Sequence, residues 1–212
     1  MGGRFVILCA VVGVVLGVTG ATVSKSLASD IIEDWANVKT PSAPEIKAVT
    51  VDPKTTALIM GDFMNQSGAK RPRCVAALPA VKKLLGEARA AKVAVIYSTI
   101  PNTTSADIMP DVAPAADEPS VTSGVDKFFK TNLEQILKDK GIQTVIIVGT
   151  SAEGLVTYTG GEAALRGFNV VVPVDGMASV EAFAEQYVAW HMTHAPIISP
   201  KVTLTRTDMI KF

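Results

Sequence analysis

The chain has 212 residues, and its 20 lysines and arginines balance its 20 aspartates and glutamates, so the formal net charge is zero. A neutral chain without a basic stripe is not typical of proteins that bind nucleic acid, because such proteins depend on positive charge against phosphate. No run of like charges indicates a disordered tail. We therefore predict no nucleic-acid partner.

The N-terminus has the pattern of a secretory signal peptide. Arg4 precedes a short apolar run, and small residues follow it up to Ala28. The run is shorter than the roughly 20 residues that a membrane-spanning helix needs. We predict a leader over residues 1–28 and a periplasmic or secreted protein. The alternative is an uncleaved leader that anchors the chain in the membrane through residues 5–20.

The remainder of the chain predicts an arm followed by one domain of ordinary size. Residues 29–54 are polar and contain three prolines, and we expect a linker or arm that lies on the domain. Residues 55–212 form the domain. Cys9 belongs to the leader, which leaves Cys74 without a partner, so we predict no disulfide.

Apolar runs and helical periodicity alternate through the domain. The predicted strands cover residues 57–60, 93–97, 145–148, 170–174 and 202–204. The predicted helices cover residues 78–88, 133–137, 155–165 and 180–192. Because the strands are apolar throughout, they indicate a parallel sheet that is buried on both faces. We predict a three-layer α/β/α domain with a mostly parallel sheet of about six strands.

Prolines refine this order of elements. Pro79 is tolerated only in the first turn of a helix, which predicts a helix start beside it. Residues 100–119 contain four prolines and show no periodicity. We predict a long loop there, of a kind that often serves as a lid.

One carboxylate, Asp62, comes directly after the first predicted strand. Open α/β sheets place their sites at the carboxyl ends of their strands. Burial beside Phe63 and Met64 would raise the pKa of Asp62 and suit it to general acid or base chemistry. The alternative is that Asp62 only caps the following turn.

Two stretches of the sequence together resemble the isochorismatase-like (cysteine hydrolase) family. The first is residues 56–62, which ends at Asp62, and the second is residues 149–159, where a glycine-bearing turn enters a helix. Phe128 lies between them, at the start of a phenylalanine–threonine–leucine pattern that the family also has. The resemblance implies an α/β hydrolase fold and a small-molecule substrate.

The family triad is an aspartate, a lysine and a cysteine, and the resemblance assigns the aspartate to Asp62. Leu155 occupies the cysteine position, and a leucine side chain cannot form a thioester. Alignment on Phe128 puts the lysine position at Thr122 or Ser123. The sequence thus predicts a divergent member that lacks the cysteine and the lysine.

Lys127 lies close to the lysine position in the sequence, and it would reach the site only if this loop is rebuilt. The family includes members that hydrolyse the vinyl ether of isochorismate without the cysteine, using the aspartate as the acid. Those members retain the lysine. Lys127 therefore stays an alternative member of the site.

The resemblance also implies a cis peptide bond between Thr150 and Ser151, with nearby backbone N–H groups that form an oxyanion hole. Backbone donors of this kind stabilise negative charge that develops on a substrate. We accordingly assign substrate contacts to Thr150, Ser151, Leu155 and Phe128.

Other reactive side chains give weaker alternatives. Glu153 suits the first turn of a helix, where its charge is favourable, but it could also share acid–base work with Asp62. Ser151 is a weak candidate for a nucleophile, because the sequence around it lacks the second glycine that a nucleophile elbow has two residues after the serine. His191 and His194 have helical spacing without a third ligand, and residues after the second strand contain no histidine, so we predict no metal.

These observations predict a hydrolase that acts on a small carbonyl, amide or enol-ether metabolite, with Asp62 as general acid or base and water as the nucleophile. A non-catalytic binding or scaffolding protein on the same fold is the alternative. We predict no cofactor, and the sequence does not decide between a monomer and a homo-oligomer.

Overall fold

The computed structural model describes Gly2 and residues 30–212. Apart from Gly2, the predicted leader lies outside the described residues, as does the alternative anchor. The chain divides into two compact units, Met1–Thr40 and Pro41–Phe212. In the first unit, a short 3-10 helix spans Trp35–Asn37.

The larger unit contains nine strands, seven of which form one sheet. The strands are β1 (Val49–Thr50), β2 (Thr56–Gly61), β3 (Ala94–Thr99), β4 (Ser120–Thr122), β5 (Thr144–Thr150), β6 (Asn169–Pro173), β7 (Met177–Ala178), β8 (Val202–Thr205) and β9 (Ile210–Lys211). The order in the main sheet is β4-β3-β2-β5-β6-β8, with β7 paired to the end of β5. Every pairing in it is parallel.

Four α-helices cover this sheet, namely α1 (Pro72–Ala90), α2 (Leu133–Asp139), α3 (Thr157–Leu165) and α4 (Ala182–His194). Alternate residues of the central strand β2 enter two separate hydrophobic clusters. Ala57 and Ile59 pack with α2, α3 and α4, whereas Leu58 and Met60 pack with α1. The strands are therefore buried on both faces, which confirms the predicted three-layer α/β/α fold.

The N-terminal part of the larger unit is hydrogen-bonded to the end of the chain. Strand β1 pairs in parallel with β9, and the N–H of Val51 donates to the carbonyl of Lys211 at 2.9 Å. The N–H of Lys47 donates to the carbonyl of Leu204 at 2.9 Å. Residues 41–51 thus belong to the larger unit.

Helix α1 corrects the prediction for Pro79. Pro72 occupies the start of the helix, and Pro79 lies well inside it. The first turn is the position where a missing N–H costs least, and Pro72 already fills it. The helix thus begins six residues before the predicted start at residue 78.

The long loop predicted over residues 100–119 contains two short 3-10 helices, Ser105–Asp107 and Pro110–Val112. The second of these helices is tied to the sheet, since the hydroxyl of Tyr97 donates to the carbonyl of Val112 at 2.8 Å. Within the described part of the chain, no helix is both long and apolar enough to cross a membrane.

Candidate active site

The site lies where the order of the strands reverses. β2 and β5 are neighbours at the centre of the sheet, and the chain continues from them to opposite edges. Gly61 of β2 pairs in register with Gly149 of β5. A Cβ on Gly149 would lie 2.2 Å from the carbonyl oxygen of Gly61, so the two strand ends approach as closely as glycine allows. Open α/β sheets bind their ligands at such a switch point.

Asp62 follows β2 directly and is 6% exposed. Its φ of 51° lies in the left-handed region, which aspartate tolerates better than most residues. One carboxylate oxygen accepts a hydrogen bond from the hydroxyl of Ser98 at 2.8 Å, and the other lies 2.9 Å from Nζ of Lys127. The side chain thus binds neighbouring side chains and does not cap the turn that follows it.

Burial is the largest influence on the pKa of Asp62, and it raises that pKa above the ordinary value for aspartate. Lys127, Ser98 and Arg71 act in the opposite direction, because each stabilises the carboxylate. The balance favours the protonated acid more than in an exposed aspartate. Asp62 is therefore suited to donate a proton.

Lys127 is completely buried. Besides Asp62, its Nζ donates to the carbonyl of Thr99 at 3.2 Å and to the carbonyl of Ser123 at 3.0 Å. An ammonium group has three N–H donors, and here three acceptors surround it. Its backbone N–H donates to the hydroxyl of Thr159 at 3.2 Å. The lysine is held in place at both ends and orients the Asp62 carboxylate.

Leu155 fills the space above Gly61 with hydrocarbon. It lies in a π-helix, Ala152–Val156, that precedes α3, and it is 1% exposed. A Cβ on Gly61 would lie 2.3 Å from one methyl carbon of Leu155 and 2.7 Å from the other. The leucine therefore packs directly against the backbone that leads to Asp62, and it offers no nucleophile.

The turn after β5 contains a cis peptide bond between Thr150 and Ser151. Thr150 is buried, and its hydroxyl accepts a hydrogen bond from Nη1 of Arg71 at 2.8 Å. Ser151 is half-buried, and its hydroxyl oxygen would lie 2.8 Å from a Cβ on Gly154. This turn therefore brings Arg71 to the same edge of the sheet as Asp62.

The isochorismatase domain model matches residues 56–201, which is more than half of the chain. The chain belongs to the isochorismatase family. A search of curated proteins finds no match.

Solved structures have the same fold as this isochorismatase-family protein. N-carbamoylsarcosine amidase from Thermoplasma acidophilum superposes with a TM-score of 0.63 at 21% identity, over 73% of this chain and 97% of that chain. A cysteine hydrolase from Pseudomonas syringae pv. phaseolicola gives 0.66 at 20% identity, over 79% and 95%. The nicotinamidase of Staphylococcus aureus gives 0.65 at 16% identity, over 72% and 99%.

The position of the lysine in this family member differs from the one that the sequence alignment predicts. The alignment gives Thr122 or Ser123 as the lysine position, and both are uncharged residues. The lysine that pairs with the Asp62 carboxylate is Lys127. The carbonyl of Ser123 accepts a hydrogen bond from the Lys127 ammonium, so the chain folds back on itself between these residues. A count of residues from Phe128 does not register this fold-back, so it does not predict that Lys127 reaches Asp62.

Glu153 does not contact the buried pair that Asp62 forms with Lys127. Glu153 is exposed, and its carboxylate accepts a hydrogen bond of 2.5 Å from the hydroxyl of Ser179. Phe128 is 6% exposed and stacks against Phe168 at 6.4 Å between ring centroids. Asp62 is thus joined to Lys127 and Ser98, and not to Glu153.

Cys74 is a buried cysteine with two arginines near it in the sequence. Arg71 and Arg73 precede it in the sequence and could lower the pKa of its thiol. Burial instead raises the pKa of Cys74 to about 11, against the opposing effect of Arg71. The guanidinium of Arg73 is paired with Glu185. Cys74 is therefore a packing residue on the α1 side of the sheet.

The two histidines pack on aromatic neighbours of α4. His191 stacks on Tyr187, and His194 stacks on Trp190. Among the described residues, no group of three or more histidine, cysteine, aspartate or glutamate side chains could hold a metal ion.

Sequence reasoning missed Ser98 and the role of Arg71 near the site. Ser98 was detectable, because it lies at the carboxyl end of β3, the strand next to β2. Arg71 gives no comparable signal, because it lies at the start of α1 and reaches β5 only through its long side chain.

Proposed function

We propose that the protein is a cysteine-independent hydrolase that cleaves a small enol ether, with Asp62 as the proton donor and water as the nucleophile. The observation that carries this proposal is the buried Asp62–Lys127 pair, 2.9 Å apart, and Leu155 lies at the position that the resemblance assigns to the family cysteine. This site offers an acid and lacks a thiol. An enol ether suits it, because its hydrolysis begins with proton transfer to carbon and needs no protein nucleophile.

The reaction balances without a co-reactant other than water. Asp62 gives its proton to the terminal carbon of the C=C bond, and a new C–H bond forms as the double bond becomes an oxocarbenium ion. Water adds its oxygen to that cation and returns one proton to the Asp62 carboxylate. The resulting hemiketal loses the alcohol and leaves a ketone.

Lys127 acts in this scheme as a positioning residue. Its three acceptors are Asp62, Thr99 and Ser123, so no N–H is left for the substrate. Its positive charge stabilises the carboxylate that remains after Asp62 has given up its proton. In this proposal, Lys127 takes the place of the lysine that cysteine-independent members of the family retain.

The family and the solved structures support hydrolysis in general. Two of the superposed proteins are named as amidases, which act on C–N bonds. A nucleophile is more important for an amide than for an enol ether, since the amide carbon must first be attacked. The leucine at position 155 is our reason to prefer the enol ether.

The test compares an enol ether with an amide on the full chain. With 2-methoxyacrylate, hydrolysis yields pyruvate and methanol, and in D₂O the pyruvate methyl group should carry one deuterium from the proton transfer to carbon. Ammonia release from nicotinamide should stay at the background rate. Mass spectrometry after a rapid quench gives the deuterium content.

Asp62→Asn is the decisive variant, because asparagine keeps the shape and cannot donate this proton. We expect at least a hundredfold loss of kcat, in line with the usual contribution of general acid catalysis. Asp111→Asn, at an exposed carboxylate paired with Lys82, is the matched control and should retain activity. Enol-ether turnover that persists in Asp62→Asn, or no turnover by the natural chain, would contradict the proposal.

A further inference from the structure

Arg71 is a half-buried arginine without an acidic partner. Among the described arginines, Arg73, Arg89 and Arg166 pair with glutamates, and Arg206 is exposed. Arg71 is the remaining one in the described part of the chain, and its guanidinium makes one hydrogen bond, from Nη1 to the Thr150 hydroxyl at 2.8 Å. A guanidinium has five N–H donors, so four of them have no acceptor among the described residues.

The guanidinium lies at the edge of the acid–base site. Thr150 ends β5, beside the strand that leads to Asp62. The Arg71 charge is felt at the Asp62 carboxyl, where it opposes the rise in pKa caused by burial. The contacts of the Asp62 oxygens are with Ser98 and Lys127, and Asp62 forms no ion pair with Arg71.

We propose that Arg71 binds a carboxylate group of the substrate, so that the protein acts on anionic enol ethers in preference to neutral ones. The choice of enol ether rests on the proposed function, whereas the carboxylate site rests on the Arg71 geometry alone.

Two physical reasons support a carboxylate as the missing partner. Partial burial of a charge is costly unless the charge is paired, and no described carboxylate lies within ion-pair distance of the half-buried Arg71. The planar fork of a guanidinium also matches the two oxygens of a carboxylate. The bond to Thr150 fixes one arm of that fork, which reduces the entropy lost when an anion binds.

Binding can be measured without turnover on the full chain. The probes are 2-methoxypropanoate, which has no C=C bond to hydrolyse, and its methyl ester, which has no charge. NMR titration that follows the amides of Thr150 and Ser151 gives both affinities. We expect the acid to bind at least tenfold more tightly than the ester, with a preference that decreases as salt concentration rises.

Variants of Arg71 test the assignment. Arg71→Met should abolish the preference for the acid, and Arg71→Lys should retain part of it, because lysine keeps the charge but not the fork. Lys70→Met removes the same charge from the exposed neighbouring residue, and it should keep the full preference. Equal binding of acid and ester by the natural chain, no binding of the acid, or an unchanged preference in Arg71→Met would each overturn the proposal.

Turnover separates this inference from the proposed function. If the acid binds through Arg71 but neither 2-methoxyacrylate nor its methyl ester is hydrolysed, the enol-ether function fails and the carboxylate site stands. If both enol ethers are hydrolysed at equal rates in the natural chain and in Arg71→Met, the function stands and the inference fails.

Discussion

At the scale of single residues, the acidity of Asp62 is set by one unfavourable and three favourable surroundings for its charge. Burial disfavours the carboxylate, whereas Lys127, Ser98 and Arg71 stabilise it, and burial has the larger effect on the pKa. Ser98 is the simplest of these partners to remove, because it is uncharged and donates one hydrogen bond of 2.8 Å.

Ser98→Ala should raise the pKa of Asp62 further, because the carboxylate loses a donor while burial is unchanged. The ¹³C shift of the Asp62 carboxyl carbon, followed from pH 3 to pH 9, reports this directly. Activity that needs the protonated acid falls as pH rises through this pKa, so the fall in kcat/KM should move to higher pH. Ser120→Ala, at an exposed serine of β4, should leave the titration unchanged. A downward shift in Ser98→Ala would contradict this account.

Leu155 and Gly61 form a second residue pair whose coupling can be measured. Leu155→Ala deletes buried methyl groups, and such changes cost about 2–5 kcal/mol of the free energy of unfolding. Gly61→Ala adds a Cβ within 2.3 Å of a Leu155 methyl carbon, and also 2.9 Å from the carbonyl oxygen of Val148. Because the first clash disappears when Leu155 is shortened, the double variant should be less destabilised than the sum of the single changes.

Urea denaturation of the four proteins gives this coupling energy, which we expect to be about 0.5–3 kcal/mol. Gly86→Ala is the matched control, since a Cβ there meets nothing within 4 Å and the glycine is exposed in α1. It should stabilise the protein slightly and add to Leu155→Ala without coupling. Strict additivity of the Gly61 and Leu155 changes would show that the leucine does not occupy the space above Gly61.

The sequence was sufficient for some residues of the site and not for others. The position of Asp62 at the carboxyl edge of the sheet follows from its place after a buried strand, as the sequence predicts. Lys127 does not follow, because its approach depends on the fold-back near Ser123, which no spacing rule encodes. Arg71 does not follow either, because the residue that it contacts in β5 lies 79 positions further along the chain.

At the scale of elements, the segment after β3 is fixed by one ion pair. Both oxygens of Glu118 accept hydrogen bonds from Arg89, at 2.8 and 2.7 Å, and one also accepts the N–H of Ala115 at 2.7 Å. Arg89 extends from α1 and also donates to the carbonyl of Ala113 at 3.0 Å. The end of the long loop is therefore clamped against α1.

Glu118→Gln should loosen this clamp, because an amide replaces a carboxylate that receives three hydrogen bonds. Amide hydrogen exchange over residues 112–118 should rise about tenfold, which corresponds to about 1.4 kcal/mol of local opening. Asp111→Asn breaks only the exposed contact with Lys82 and should leave the exchange rates unchanged. Unchanged protection in Glu118→Gln would show that backbone contacts alone hold the loop.

The same clamp has a defined pH dependence. Burial alone would raise the pKa of Glu118, but the hydrogen bonds from Arg89 and Ala115 outweigh it and lower that pKa. A lowered pKa in the folded state contributes stability above the unfolded value of about 4.5, and this stability is lost as pH falls through the folded value. Protection over residues 112–118, measured against the intrinsic exchange rate at each pH, should therefore fall in acid in the natural chain and depend less on pH in Glu118→Gln.

The apolar runs predicted the five longest strands of the structure. Such a run arises because a strand is buried on both faces, as β2 and β5 are. Strand β7 has two residues and β4 has three, and such short segments carry no periodicity of their own. The sequence predicts a regular helix from residue 155, whereas the structure has a π-helix over Ala152–Val156 before α3. A single π-helical turn has no sequence periodicity that distinguishes it from an α-helical turn.

At the scale of the whole molecule, the layered fold follows from alternation within single strands. Successive residues of β2 supply opposite hydrophobic clusters, so the sheet must be covered on both faces. The site is then placed by topology, since only the ends of β2 and β5 lie at the reversal of strand order. The Asp62–Lys127 pair is buried at that point, and the stability of the whole fold offsets the cost of burying it.

Asp62→Asn should change how the global stability depends on pH. Because burial raises the pKa of Asp62 in the folded state, the folded protein holds this proton more tightly than the unfolded chain does. The contribution is complete below the unfolded pKa of about 3.8, and it is lost as pH rises through the raised folded value. The natural chain should therefore lose stability relative to Asp62→Asn as the pH rises from about 4 towards neutrality.

Urea denaturation of both proteins across this pH range measures the difference in the free energy of unfolding. Asp62→Asn leaves Lys127 as a buried charge without a carboxylate, which adds an offset of about 3–5 kcal/mol against the variant. The quantity of interest is therefore how the difference between the two proteins changes with pH, and not its size at any one pH. A difference that instead grows in favour of the natural chain with rising pH would mean that the ion pair outweighs burial. Asp62 would then be an anchored carboxylate, and the proton donor in the reaction would have to be sought elsewhere.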